Sequence, residues 1–185
     1  NMMKALRMHG SRKSDEWLPG KALMGADVCM HLGFGPIRIN QTTGSMVSQL
    51  ASNQQTHRLT GTAAPCVSTF KPVWIDPGVP DTGPDPNGKY NASTLWWQGE
   101  ELHRRVLMNY PERIKLVTPG RDELETDFID GTNKIALLDM KQRASFSQSC
   151  FEKSNDLRIT QINEIDKDLK KENIPFPVME QRMPR

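Results

Sequence analysis

The chain has 185 residues, of which 24 are Lys or Arg and 22 are Asp or Glu, so its formal net charge at pH 7 is +2. Because both signs are spread along the chain, it lacks the basic patch that nucleic acid or an anionic membrane surface requires. No apolar run approaches the roughly 18 residues needed to cross a bilayer. We therefore expect neither nucleic acid nor a membrane among its partners.

The three cysteines, Cys29, Cys66 and Cys150, are odd in number and widely spaced. This pattern favours free thiols in a reducing compartment over a disulfide framework. The first dozen residues also lack the apolar centre of a secretion signal, so we expect a cytoplasmic protein. The sequence begins with Asn1 rather than Met, which is either a cloning remnant or, as we expect, the sign of an internal fragment.

The first part of the chain alternates between helical, loop and strand patterns. Apolar spacing predicts a helix over residues 2–9, followed by a Gly- and Ser-rich loop over 10–36. Small and β-branched residues predict a strand over 38–50. The polar segment 51–56 is typical of a turn, so residues 56–63 are expected to return as the second strand of an antiparallel hairpin.

Residues 76–92 hold four Pro and three Gly and predict a linker. This linker divides the chain into an α+β part, 1–75, and a helical region, 93–185. Pro175, Pro177 and Pro184 predict an extended tail at the end of the second part.

Ser93 is a suitable N-cap for a helix over 93–110 that ends before Pro111. Leu95, Leu102 and Val106 form its apolar stripe, whereas Glu100, Arg104 and Arg105 are predicted to face solvent. Further along, Ile and Leu recur at steps of three and four residues from Asp122 to about Glu172, which predicts more helix.

Local chemistry gives weak site candidates. Cys29 and His31 are the only close ligand pair, and without a second pair at zinc spacing they favour two loop residues, so we expect no metal and no cofactor. Glu100 and His103 share a helix and are expected to be solvated rather than acid–base catalysts. Cys66 follows a Pro in a loop, but no base is adjacent in sequence, so it is the control thiol rather than the expected nucleophile.

Two segments, 41–50 (QTTGSMVSQL) and 60–72 (TGTAAPCVSTFKP), carry a family pattern: a Thr- and Ser-rich strand, then TGT, Pro, Ser and FKP. The pair resembles the C-terminal half of the secernin family, relatives of the dipeptidase-A-like cysteine peptidases. Residues 2–9 (MMKALRMH) resemble the helix before that strand, and 95–107 (LWWQGEELHRRVL) the charged helix after the linker. The resemblance covers residues 2–110 well.

The resemblance implies an N-terminal nucleophile hydrolase with an αββα sandwich, acting on a small peptide or amide. Its nucleophile would be a terminal Cys whose own α-amine serves as the base. Because no cysteine lies near the start of this chain, that nucleophile is expected in an upstream N-terminal half, and no catalytic residue is expected here. Thr43, Ser45 and Ser48 are the pocket candidates, with Thr43 and Ser45 on one face and Ser48 on the other unless Gly44 forms a bulge. The alternative is a secernin-like protein that acts by interaction without catalysis.

Overall fold

A computed structural model describes residues 2–10, 17–18, 27–32, 40–52, 54–135, 137, 139–171 and 175. These residues form an α+β structure, as predicted. The elements in chain order are α1 (Met2–Leu6), β1 (Met46–Ala51), β2 (Gln54–Leu59), β3 (Lys71–Val73), α2 (Leu95–Leu107), α3 (Tyr110–Ile135) and α4 (Met140–Lys171).

The three strands form an antiparallel sheet in the order β1-β2-β3. In the hairpin, Met46 pairs with Leu59 and Ala51 pairs with Gln54. Strand β3 then pairs with the C-terminal half of β2, residues 57–59. The predicted antiparallel hairpin is therefore confirmed, and β1 and β3 are the two edge strands of the described sheet.

The predicted strand limits are wrong at both ends of the hairpin. The first strand begins at Met46, because Thr42 instead exchanges hydrogen bonds with the backbone of Met30, at 2.9 and 3.0 Å. The second ends at Leu59, shortly before Gly61 turns the chain with a φ of 64°, a conformation that glycine adopts without strain. The start of the predicted first strand, 38–39, lies outside the described residues.

Helix α2 is also shorter than predicted. Its N-cap is Thr94 rather than Ser93, and the Thr94 side chain accepts a hydrogen bond from the backbone N–H of Trp97. The helix ends at Leu107, and Tyr110 begins α3, with Pro111 in the first turn, where a proline costs no helical hydrogen bond.

The later helical region is confirmed and consists of two helices, α3 and α4, which pack against each other and against β3. Phe128, Ile165 and Leu169 are buried, as their spacing predicts. No described helix is both long and apolar enough to cross a membrane. The predicted extended tail lies outside the described residues except for Pro175.

One apolar core joins residues on both sides of the 76–92 segment. Its members come from the early loops, the turn after β2, and helices α2, α3 and α4. They are Trp17, Cys29, Ala64, Cys66, Val67, Leu102, Val106, Tyr110, Ile114, Val117, Ile165 and Leu169.

Candidate functional site

Four chemically reactive side chains meet inside this core: His9, Cys29, His31 and Cys66, here called the thiol–imidazole cluster. Each offers one ligand atom, and these four atoms all lie within 4.8 Å of one another. None of the four residues is more than 6% exposed. The cluster is thus a buried polar centre within an apolar core.

His31 is the centre of the cluster. Its Nε2 lies 3.0 Å from Nε2 of His9, 3.3 Å from Sγ of Cys29 and 3.4 Å from Sγ of Cys66. The sequence predicted that Cys29 and His31 are two loop residues without a shared site, and this prediction is wrong. This geometry can hold a thiophilic metal ion, or it can place an imidazole beside a thiolate.

The segments that carry the cluster are joined by backbone hydrogen bonds. His9 follows α1, and the N–H of Cys29 donates to the carbonyl of Met8 at 3.1 Å, which sets the two loops side by side. Cys66 lies in a tight turn, in which the N–H groups of Val67 and Ser68 both donate to the carbonyl of Ala64.

Two arginines hold the Cys66 turn in place. Arg121 donates to the carbonyl of Cys66 itself. Arg7 donates to the carbonyls of Pro65 and Ser68 and forms a two-pronged ion pair with the buried Glu125. Since guanidinium groups bind in a fixed planar geometry, these contacts fix the position of the Cys66 thiol.

A hydrogen-bonded chain runs from the cluster into α2. Nδ1 of His31 lies 2.7 Å from Nε2 of His103, and Nδ1 of His103 lies 3.0 Å from Oε2 of Glu100. Glu100 and His103 are each 1% exposed, so the prediction that they are solvated is wrong. Glu100 also accepts hydrogen bonds from Arg104 and Gln41, and these partners allow α2 to bury a carboxylate.

His9 has its own supporting contacts. Its ring stacks on Trp17 with the centroids 4.1 Å apart, and its Nδ1 lies 3.3 Å from the hydroxyl of Tyr110. Trp17 is anchored in turn by a hydrogen bond from its indole N–H to Asp27, at 3.2 Å. Both histidines of the cluster therefore have a polar partner on Nδ1 and direct Nε2 at the thiols.

The surroundings of the two thiols shift their pKa values in opposite directions. Burial raises the pKa of Cys29, and the neighbouring Cys66 raises it further. Burial also opposes ionisation of Cys66, but hydrogen bonds from Cys29 and His31 outweigh it and hold the pKa of Cys66 well below its ordinary value. Burial lowers the pKa of His31, which favours a neutral imidazole. Similarly, contacts with His103 and Arg104 overcome burial and lower the pKa of Glu100.

A cavity of about 610 Å³ adjoins one side of the cluster, and His9 and Cys66 form part of its wall. The rest of the wall mixes apolar side chains with charged ones, including Arg7, Arg121 and Glu125. Because Cys66 is only 3% exposed, its thiol meets this cavity at the margin.

The predicted pocket residues lie elsewhere. Thr43 is exposed, Ser45 is half-buried and precedes β1, and Ser48 lies on β1, where its hydroxyl is 2.9 Å from Nδ1 of His57. None of these three residues lines the cavity beside Cys66. The three predicted pocket residues and the thiol–imidazole cluster are therefore two separate sites in the structure.

No protein-family model matches this chain, and no curated protein is similar to it. The secernin-like motifs therefore remain a prediction from the residues. The function proposed below depends on that prediction and on the geometry of the described residues.

Proposed function

We propose that this chain is part of a secernin-like cysteine amide hydrolase, in which it supplies strands and a pocket wall while the nucleophile lies on an upstream segment. The observation that carries the proposal is the open edge of the sheet. Strand β1 pairs with β2 on one side, and no described strand pairs with its other side.

The exposed residues of β1 support a missing neighbour. Met46 and Leu50 are 58% and 71% exposed, and alternation along a strand puts them on one face together with Ser48. Apolar residues on an unpaired edge strand are a liability for an isolated domain. A second sheet packed on this face, as in an αββα sandwich, would cover them.

The helices leave room for such a sheet. Both α3 and α4 pack against β3, at the opposite end of the sheet from β1. Thr43, Ser45 and Ser48 lie in or just before the uncovered strand, where their hydroxyls would hydrogen-bond a small peptide or amide substrate. We place the protein in the cytoplasm, because all three cysteines are free thiols.

Cys66 has no catalytic role in this proposal. Its thiol is 3% exposed and meets the neighbouring cavity only at the margin, and its carbonyl is bound by Arg121, so the thiol is poorly placed to attack an amide substrate. The proposed nucleophile is instead a terminal Cys on the upstream half, activated by its own α-amine.

The test is complementation between residues 1–185 and the upstream half of the parent protein, assayed on a dipeptide panel near pH 8. The isolated chain should show no turnover, and the mixture should hydrolyse at least one dipeptide. Turnover by 1–185 alone that disappears in Cys66→Ala would overturn the proposal.

Two matched variants test the β1 face. Leu50→Asp should reduce the restored activity by about tenfold or more, because it would bury an unpaired charge in the new interface. Leu137→Asp, at a side chain that is 72% exposed, should leave it unchanged. Association of the two halves without hydrolysis would favour the alternative, a secernin-like interaction protein.

A further inference from the structure

We propose that His9, Cys29, His31 and Cys66 form a closed, tetrahedral Cys2His2 site for one zinc ion. The ion would join the loop after α1, the 27–32 loop and the Cys66 turn. This inference is independent of the proposed hydrolase function, because it uses only contacts within the described core.

The first argument is the valence of one nitrogen. Nε2 of an imidazole carries either one proton or one lone pair, so it makes one good hydrogen bond. Yet Nε2 of His31 has three partners, on His9, Cys29 and Cys66, between 3.0 and 3.4 Å away. Three buried groups converging on one such atom exceed its hydrogen-bonding capacity, whereas a cation at their common centre would bind all four groups.

The second argument is distance. With Zn–S about 2.3 Å and Zn–N about 2.0–2.1 Å, a tetrahedron separates two nitrogens by about 3.3 Å and a nitrogen from a sulfur by about 3.6 Å. The observed separations are 3.0 Å for His9 and His31, 3.3 Å for Cys29 and His31, and 3.4 Å for Cys66 and His31. These three separations are slightly shorter than the ideal values, and the other pairs of ligand atoms lie within 4.8 Å, so side-chain adjustments in both directions would complete the site.

The third argument is the placement of protons. If both histidines bind zinc through Nε2, each must carry its proton on Nδ1 and needs an acceptor there. His31 has Nε2 of His103 at 2.7 Å, and His103 can then donate from Nδ1 to Glu100 at 3.0 Å. His9 has the hydroxyl of Tyr110 at 3.3 Å. A single assignment therefore satisfies every ring nitrogen of the three histidines.

Charge and ligand type identify the metal. Binding releases the two thiol protons, so two thiolates and two neutral imidazoles would surround Zn²⁺ with no net charge, which suits a buried site. Sulfur and imidazole ligands in a tetrahedral set are typical of zinc. Because all four positions come from the protein, the ion would stabilise the fold and leave no position for a substrate.

The test uses the intact 1–185 chain, purified under reducing conditions in zinc-containing medium. Native mass spectrometry should show one zinc per chain, with a mass that corresponds to the loss of two protons on binding. After removal of zinc by a chelator, Co²⁺ should give the visible absorption of a tetrahedral site and thiolate-to-cobalt charge transfer. The measurements on the unmodified chain do not depend on whether any variant folds.

Variants assign the ligands. Cys29→Ser and Cys66→Ser should each weaken zinc binding by more than about 100-fold, beyond the range for outer partners, and each should reduce the charge-transfer band. His103→Ala should weaken binding by about 10- to 100-fold with the cobalt spectrum retained. Cys150→Ala is the matched control, since Cys150 is also a buried free thiol but lies outside the cluster, and it should bind as the unmodified chain does.

Three results would overturn the proposal. The first is a reduced, folded chain that carries no stoichiometric zinc and gives no tetrahedral Co²⁺ spectrum. The second is zinc binding that persists unchanged in a Cys29→Ser/Cys66→Ser double variant. The third is a disulfide between Cys29 and Cys66 that persists in the chain purified under reducing conditions.

Discussion

Nδ1 of His31 lies 2.7 Å from Nε2 of His103, and this contact joins an early loop to the middle of α2 across 72 residues of sequence. The contact continues through His103 to Glu100, which also binds Arg104 and Gln41. Glu100 is therefore the anchor that orients His103 and, through it, the imidazole of His31.

Glu100→Ala should lower the free energy of unfolding by about 3 kcal/mol or more, because it leaves His103 and Arg104 without a buried carboxylate. Urea denaturation measures the change. Glu112→Ala is the control: its side chain is 63% exposed and pairs with the exposed Lys115, so its loss should cost under about 1 kcal/mol. Equal costs for the two variants would contradict the anchoring role of Glu100.

Gly99→Ala should destabilise the protein by about 1–3 kcal/mol, although alanine in a helix ordinarily gains about 1 kcal/mol over glycine. A Cβ at this position of α2 would lie 2.6 Å from Cβ of Thr62. Thr62 has little freedom to move, since its hydroxyl bonds Ser68 at 2.8 Å. Thermal or urea unfolding gives the sign, and a gain in stability would show that α2 does not approach the turn so closely.

Gly88→Ala is the matched control for that substitution. A Cβ at Gly88 would have no atom of the described residues within 4 Å apart from its chain neighbours, so the change should be within about 0.5 kcal/mol.

The contribution of Lys71 to stability should depend on pH. Burial, and then the nearby Arg158, lower the pKa of Lys71 from 10.5 to about 7 in the folded protein. Between these two values the unfolded chain holds the proton and the native chain does not. Stability relative to Lys71→Met should therefore rise with pH from about 7 to 10.5, by at most about 1.4 kcal/mol per pH unit, and should be level below 7.

Urea unfolding of the unmodified chain and of Lys71→Met across this pH range measures the difference. Lys115→Met, at a lysine whose side chain is 58% exposed, is the control for the loss of a lysine side chain and should cost under about 1 kcal/mol. A pH-independent difference at Lys71 would mean that its ammonium group stays charged in the native state.

The sequence predicted the elements whose patterns are local. The hairpin and the stripe of Leu102 and Val106 follow from periods of two and 3.6 residues, and both side chains are buried. The same reasoning failed for Glu100, because His31 and Gln41 bring polar partners to His103 and Glu100 on this face of α2. A helical pattern distinguishes polar from apolar faces, but it does not show which polar face finds partners in the fold.

The thiol–imidazole cluster was beyond local patterns. His9 and His31 are 22 residues apart, and Cys66 is a further 35 residues along the chain. Only Cys29 and His31 are close in sequence, and one pair does not specify a site. The cluster forms because Arg7 joins the Cys66 turn to the segment after α1 and Arg121 joins it to α3, tertiary contacts that no single segment encodes.

X-ray absorption at the zinc edge of the purified, reduced chain tests the central claim most directly. The Cys2His2 site predicts two sulfur ligands at about 2.3 Å and two nitrogen ligands at about 2.0–2.1 Å. A shell of oxygen and nitrogen alone, with no sulfur at about 2.3 Å, would contradict coordination by Cys29 and Cys66.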